Sequence, residues 1–136
     1  MTQNVYRYHA VQKHGWRFNF STNPSLGYGW IYDGVAFRVP VNDPDCVNIY
    51  EFHYDQSNTY GGWRNNFSTS MDPVNRGWTF DGIGFKAFNY QKPGTVPVFQ
   101  YHCAQSDGWR MNFSTSYKPA TEGWTHDGVA FYAYPG

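Results

Sequence analysis

Short runs in which apolar and polar side chains alternate with period two cover most of the chain, the pattern of strands with one covered face rather than of amphipathic helices. In the first run Tyr6 and Tyr8 alternate with Arg7 and His9, and in the next Trp16, Phe18 and Phe20 alternate with Arg17, Asn19 and Ser21. Gly29-Trp30-Ile31-Tyr32 and Val35-Ala36-Phe37 follow, separated by Asp33-Gly34. The same order returns twice more. A second copy reads Ile49-Tyr50-Glu51-Phe52-His53, then Gly62-Trp63-Arg64-Asn65-Asn66-Phe67-Ser68-Thr69, then Gly77-Trp78-Thr79-Phe80-Asp81-Gly82-Ile83-Gly84-Phe85. The third reads Val98-Phe99-Gln100-Tyr101-His102, then Gly108-Trp109-Arg110-Met111-Asn112-Phe113-Ser114-Thr115, then Gly123-Trp124-Thr125-His126-Asp127-Gly128-Val129-Ala130-Phe131. Trp16, Trp63 and Trp109 fall 47 and 46 residues apart, a period that marks an internal repeat.

Four runs in each of three units predict about twelve strands in an all-β domain spanning residues 1–136, with units at about 1–45, 46–94 and 95–136. Propellers normally have four or more blades, so a closed β-trefoil with pseudo-threefold symmetry is the expected architecture. Asp33-Gly34, Asp81-Gly82 and Asp127-Gly128 are expected as two-residue hairpin turns, because Asp-Gly tolerates the positive φ such turns require. Residues 43–47 and 91–96 carry prolines and read as joints between units. Alternation places Tyr6, Tyr8, Tyr50, Phe52, Phe99 and Tyr101 inward, and puts Arg7, Glu51 and Gln100 outward with His9, His53 and His102. In the second run the tryptophan and phenylalanines are expected inside and Arg17, Asn19 and Ser21 outside, Asn65 alone taking an inward slot.

Composition sharpens this picture. Aromatic residues are 21% of the chain and Leu26 is the one leucine, so the core must be built from rings on strands. Ten basic and ten acidic residues leave a net charge of +0, which gives no field to recruit nucleic acid or an anionic membrane surface. No apolar run approaches 18 residues and the first 16 residues lack a signal-peptide pattern, so a cytoplasmic location is expected. Cys46 sits in a linker and Cys103 beside a strand, non-equivalent places that suggest two thiols rather than a bridge.

Recurring polar residues are the candidate chemistry: Arg17, Arg64 and Arg110; Asn19, Asn66 and Asn112; His9, His53 and His102; Asp33, Asp81 and Asp127. Amides, carboxylates and guanidinium groups bond neighbouring hydroxyls in pairs while a ring covers the C–H face of a sugar, so one shallow carbohydrate site per unit is one reading. The other is structural: Asp serves a turn, Arg an ion pair and Asn the backbone. The repeated Gly-Trp steps read as core filling. One histidine per unit falls short of the three or four ligands zinc takes, so neither metal nor cofactor is expected. His14 and His126 have no counterparts and read as solvated. No Gly-x-Ser-x-Gly elbow, phosphate-binding loop or His-Glu-x-x-His motif is present, which points away from an enzyme. Asn19-Phe20-Ser21, Asn66-Phe67-Ser68 and Asn112-Phe113-Ser114 fit the glycosylation pattern and are expected to be unmodified strand residues.

The recurring Gly-Trp-x-x-Asp-Gly-x-Ala-Phe pattern, as in residues 29–37 and 123–131, resembles a family of lectin-like β-trefoils of mushrooms, and the likeness covers nearly the whole chain. It implies one of two roles: mannose recognition by a soluble monomer, or a non-catalytic companion to an oxidase. The shared residues are mainly structural, and the Gln-x-Trp repeats of ricin-type lectins are missing, so the resemblance transfers no site residue. The expected partners are therefore mannose or mannose-containing glycans. A protein partner such as an oxidase, held by the unrepeated stretches 23–28, 55–60 or 118–122, is the alternative.

Overall fold

The structure is a computed structural model that describes residues 1–12, 15–55, 63–105 and 108–136. Each unit contributes three strands: β1 (Thr2–Gln12), β2 (Gly15–Ser21) and β3 (Ile31–Pro40); β4 (Val47–Asp55), β5 (Trp63–Ser68) and β6 (Thr79–Ala87); β7 (Val96–Gln105), β8 (Gly108–Ser114) and β9 (Thr125–Pro135). In every unit the first strand is central and pairs antiparallel with the other two. Pairing of Phe37 with Pro135 and Arg38 with Tyr134 fuses units one and three into the six-stranded sheet β2-β1-β3-β9-β7-β8, beside the three-stranded sheet β5-β4-β6. The chain is all-β.

Nine strands, not about twelve, are formed among the described residues. The difference lies at Asp-Gly, which makes no hairpin turn. Tyr8 pairs with Tyr32 and Arg7 with Gly34, so Asp33 is an extra residue bulged out of a continuous β3. Asp81 and Asp127 bulge from β6 and β9 in the same register. Gly34, Gly82 and Gly128 have φ of 118°, 121° and 115°, and this positive angle is what the bulge needs and what glycine supplies. A second bulge follows at Ala36, Gly84 and Ala130, bending each third strand without ending it.

Equivalent phenylalanines of the three units meet in the core. Phe20, Phe67 and Phe113 pack edge to face with centroids 5.6–5.8 Å apart. Phe37, Phe85 and Phe131 form a second triangle at 5.6–5.7 Å, each ring stacked beneath its partner in the first. Val5, Ile49, Val98, Val39, Ala87 and Ala133 complete this shared core.

The register corrects the expected faces of the first strand. Arg7, Glu51 and Gln100 stand opposite Phe20, Phe67 and Phe113, so they and the histidines share the core side, above Val5, Ile49 and Val98. Tyr8, Phe52 and Tyr101 are buried on the reverse face instead, under the segments that follow the second strand. There the Tyr8 hydroxyl donates to the Asn23 carbonyl and the Tyr101 hydroxyl to that of Ser116, both at 2.6 Å. Both faces of the first strand are covered, and the ring-bearing positions mark the one away from the phenylalanines.

The four tryptophans whose side chains are described, Trp16, Trp30, Trp78 and Trp124, are not buried core residues, and the side chains of Trp63 and Trp109 lie outside the described residues. Trp16 is 46% exposed, and Trp30, Trp78 and Trp124 are half-buried, Trp78 and Trp124 flanking the core. Trp78 and Trp124 each follow a 3-10 helix, Asp72–Arg76 and Lys118–Glu122, whose proline is buried and whose terminating glycine takes φ of 93° or 95°. Unit one has no such helix over residues 23–29.

Two seams hold the units at their base. Arg38 donates to the Pro135 carbonyl (2.9 Å) and the Thr2 hydroxyl (3.1 Å), tying unit one to unit three. Across unit two, Lys92 from one joint meets Asp43 (2.6 Å) and Asp45 (3.2 Å) from the other. These contacts hold the Asp43 carboxyl below and the Lys92 ammonium above their ordinary ranges. Cys46 and Cys103, the latter within β7, form no disulfide. Among the described residues no helix is long and apolar enough to cross a membrane.

Candidate functional site

The bulge determines what the recurring aspartates do. By adding one residue to the third strand it turns the Asp carboxylate toward the histidine of the neighbouring strand. His9 Nδ1 lies 2.7 Å from Asp33, His53 Nδ1 2.6 Å from Asp81 and His102 Nδ1 2.7 Å from Asp127. A carboxylate only accepts, so each Nδ1 carries the proton and donates it. The flanking residue differs from unit to unit. In unit one Arg7 Nε also donates to Asp33 at 3.3 Å, and Trp16 stacks on His9 at 3.8 Å. In unit two Glu51 lies near Asp81; burial and that like charge push its carboxyl up, against the pull of Arg17 and His53. The dyads are three separate pairs. Among the described residues no three His, Cys, Asp or Glu side chains gather as metal ligands.

The expected outer set of arginines and asparagines is largely enclosed. Arg64, Arg110, Asn66 and Asn112 are all buried, because β2, β5 and β8 pack on one another as well as on their own first strands. Each asparagine turns its amide oxygen back to the next peptide: Asn19, Asn66 and Asn112 accept from the N–H of Phe20, Phe67 and Phe113 at 2.8–2.9 Å. That is the backbone role. Arg17 crosses to unit two, where its Nε donates to Asn65 at 2.7 Å, and its guanidinium lies 4.6 Å over the Trp30 ring. Burial and the nearby Arg64 lower its pKa to about 10, with Glu51 and Asp81 pulling the other way. Asn65 stands where Phe18 and Met111 stand in the other units, and Arg17 is the reason an amide is tolerated there.

A cavity of about 510 Å³ opens between unit two and unit three. Its size lies within the range of small-ligand pockets. Trp78 forms one wall, braced edge to face by Tyr54 at 5.7 Å, and Met111 and Gln100 of unit three form the wall opposite. Polar groups supply the rest: Asn66, Ser68, Ser70, and an exposed ion pair of Asp72 with Arg76 at 3.3 Å. Local sequence explains this rim. Ser68 Oγ accepts from the Ser70 N–H and Ser70 Oγ from the Asp72 N–H, a stepped turn that leads into the 3-10 helix and sets Arg76 and Trp78 on either side of Gly77. A second cavity of about 320 Å³ at the first joint, lined by Pro40, Asp43, Cys46 and Lys86 among others, has no aromatic ring in its wall.

Of the twelve recurring residues, Asn66 alone lines the larger cavity. The histidines and aspartates come together pairwise, the asparagines serve the backbone, Arg17 bridges units one and two, and Arg64 and Arg110 are buried. Trp78 recurs with Trp30 and Trp124 but is expected as core filling, whereas Tyr54, Asp72, Arg76, Gln100 and Met111 are signalled by departure from the repeat, as where Tyr54 replaces Ala10 and Cys103. His126, expected as solvated, is exposed yet sits among Phe99, Tyr101 and Tyr117, in the place of Tyr32 and Phe80. His14 and most of the stretch 55–60 lie outside the described residues.

No curated protein and no solved structure matches the chain. A family model described as a domain of unknown function (DUF5648) does match, over residues 4–134. That span runs from β1 into β9 and takes in the three bulges, the phenylalanine core and the cavity, so the chain belongs to the DUF5648 family.

Proposed function

We propose that this chain is a non-catalytic, lectin-like carbohydrate-binding module built as a β-trefoil, and that its ligands are mannose or mannose-bearing glycans. One observation carries the reading: the cavity at the junction of units two and three sets a tryptophan face beside hydroxyl, amide and ion-paired groups. A pyranose has the matching form, a C–H face for the indole and hydroxyls spaced for bidentate partners. Mannose is favoured by the resemblance of the Gly-Trp-x-x-Asp-Gly pattern to mushroom lectin-like proteins. The trefoil is supported by the meeting of equivalent phenylalanines and by the bulge, since each bent third strand counts as two segments and gives four per unit.

A glycan array followed by titration of methyl α-mannoside tests this. The expected result is a mannose-selective signal with affinity on the order of millimolar per site, abolished by Trp78→Ala in a folded protein. Silence across the array would remove the reading.

Unit one favours a second reading, a protein-binding companion to an enzyme such as an oxidase. Its segment 23–29 has no 3-10 helix, and Tyr28 stands fully exposed between Gly27 and Gly29, both at positive φ. An array without signal, together with a stable complex with a purified oxidase that Tyr28→Ser dissolves, would select it.

A further inference from the structure

The three junctions between units are built from equivalent positions filled by different residues. Trp30, Trp78 and Trp124 are equivalent, as are Phe18, Asn65 and Met111, and Arg7, Glu51 and Gln100. Where unit three meets unit one, the Phe18 ring packs on Trp124 with centroids 5.6 Å apart, and the Arg7 guanidinium caps Phe18 at 4.7 Å. Where unit one meets unit two, Asn65 anchors Arg17 at 2.7 Å, and that guanidinium lies 4.6 Å over Trp30. In the first a ring of the neighbouring unit lies against the tryptophan and in the second a guanidinium anchored on the neighbouring unit does, whereas the ring braced against Trp78 is Tyr54 of its own unit. Where unit two meets unit three, the slim, unbranched Met111 stands in the place of Phe18 and the uncharged Gln100 in that of Arg7, and the 510 Å³ cavity lies in front of Trp78.

We infer that the chain carries one working ligand site, at the junction of units two and three, and that Met111 and Gln100 are the residues that keep it open. The ligand class is a small neutral polyol. Asp72 and Arg76 cancel one another's charge, and the remaining polar lining is hydroxyl and amide. The choice of sugar as that polyol rests on the carbohydrate reading above; the number and place of the site rest on the junctions alone. A threefold scaffold with one open junction gives a monovalent binder, which gains no avidity from its own repeats and cross-links no cells.

The test uses the full chain, labelled with ¹⁵N, with the tryptophan indole signals followed during titration by two probes, glycerol and methyl α-mannoside. Trp78 is expected to shift with both while Trp30 and Trp124 stay still, and methyl α-mannoside is expected to fit one site per chain. Met111→Phe, which copies Phe18 of unit one, should weaken the response at least about tenfold. Gln100→Arg, which copies Arg7, provides the second variant, and unchanged Trp30 and Trp124 signals report that either variant is folded. Parallel shifts of Trp30 or Trp124, or a Met111→Phe response within about twofold of the parent, overturn the inference. If glycerol selects Trp78 and methyl α-mannoside does nothing, the mannose reading falls and the single open site stands. Silence of every indole toward both probes overturns the site itself.

Discussion

The floor of the core and the junctions above it are built from the same repeat, yet they treat it differently. In the floor, Phe20, Phe67 and Phe113 are one residue type in one packing arrangement, and so are Phe37, Phe85 and Phe131. In the junctions, Phe18, Asn65 and Met111 share a position and little else: one packs on a tryptophan, one holds an arginine and one lines a cavity. The difference separates two demands on a repeated sequence. Rings that meet at a common centre have no freedom to diverge, since each is the packing surface of the other two. A junction touches its two neighbouring units, so a change there leaves the others undisturbed.

That contrast can be broken at several points. Its strongest test is the floor. Phe20→Ala, Phe67→Ala and Phe113→Ala should each cost about 3–5 kcal/mol in urea denaturation, and alike; a cost confined to one unit would dissolve the idea of a shared core. The bulge comes next. A Cβ on Gly34, Gly82 or Gly128 meets nothing within 4 Å, so substitution by alanine tests backbone conformation alone. A loss of about 1–3 kcal/mol is expected at each, equal across units, and a neutral result would show that the positive φ is not required.

Asparagine sharpens the comparison at the boundary of core and junction. Asn112→Ala removes the acceptor of the Phe113 N–H at a buried site and should cost about 1–2 kcal/mol. Asn19→Ala removes the same bond at a half-buried site and should cost less. Equal losses would mean that solvent does not reach Asn19.

The smallest effect is expected from Glu51. Its carboxyl is raised by burial and by Asp81, so the native state holds this proton more tightly than the unfolded chain. Stability therefore falls as pH rises from the ordinary glutamate range through the raised native value. Glu51→Gln should gain at most about 1 kcal/mol near neutrality after solvent screening, and the gain should vanish in acid below the ordinary glutamate range. A loss at neutral pH would show that attraction to Arg17 and His53 outweighs burial and the repulsion from Asp81.

Much of the floor could be read in the sequence, because period-two alternation in the second strand places Phe18 and Phe20 on one side wherever the strand lies. The first strand misleads for a physical reason. With both faces covered, its rings mark the loop side, and the core side carries Val5 followed by Arg7 and His9, which alternation alone assigns to solvent. Asp-Gly misleads in a similar way: positive φ serves a hairpin and a bulge equally, and pairing with the neighbouring strand decides between them. Recurrence found the histidine and aspartate of each dyad without indicating that they bond each other. It marked Trp78 only as one of three equivalent tryptophans and gave Met111 no role, since what opens the cavity is a departure from the repeat and has no echo to detect.

The clasp of Lys92 on Asp43 and Asp45 bears on how the molecule comes apart. Unit two is stapled across its base by charges at partly exposed sites, whereas units one and three share a ladder of paired strands. Added salt screens the staple and leaves the ladder intact. In concentrated electrolyte the middle of the sequence, rather than its ends, is where unravelling should begin.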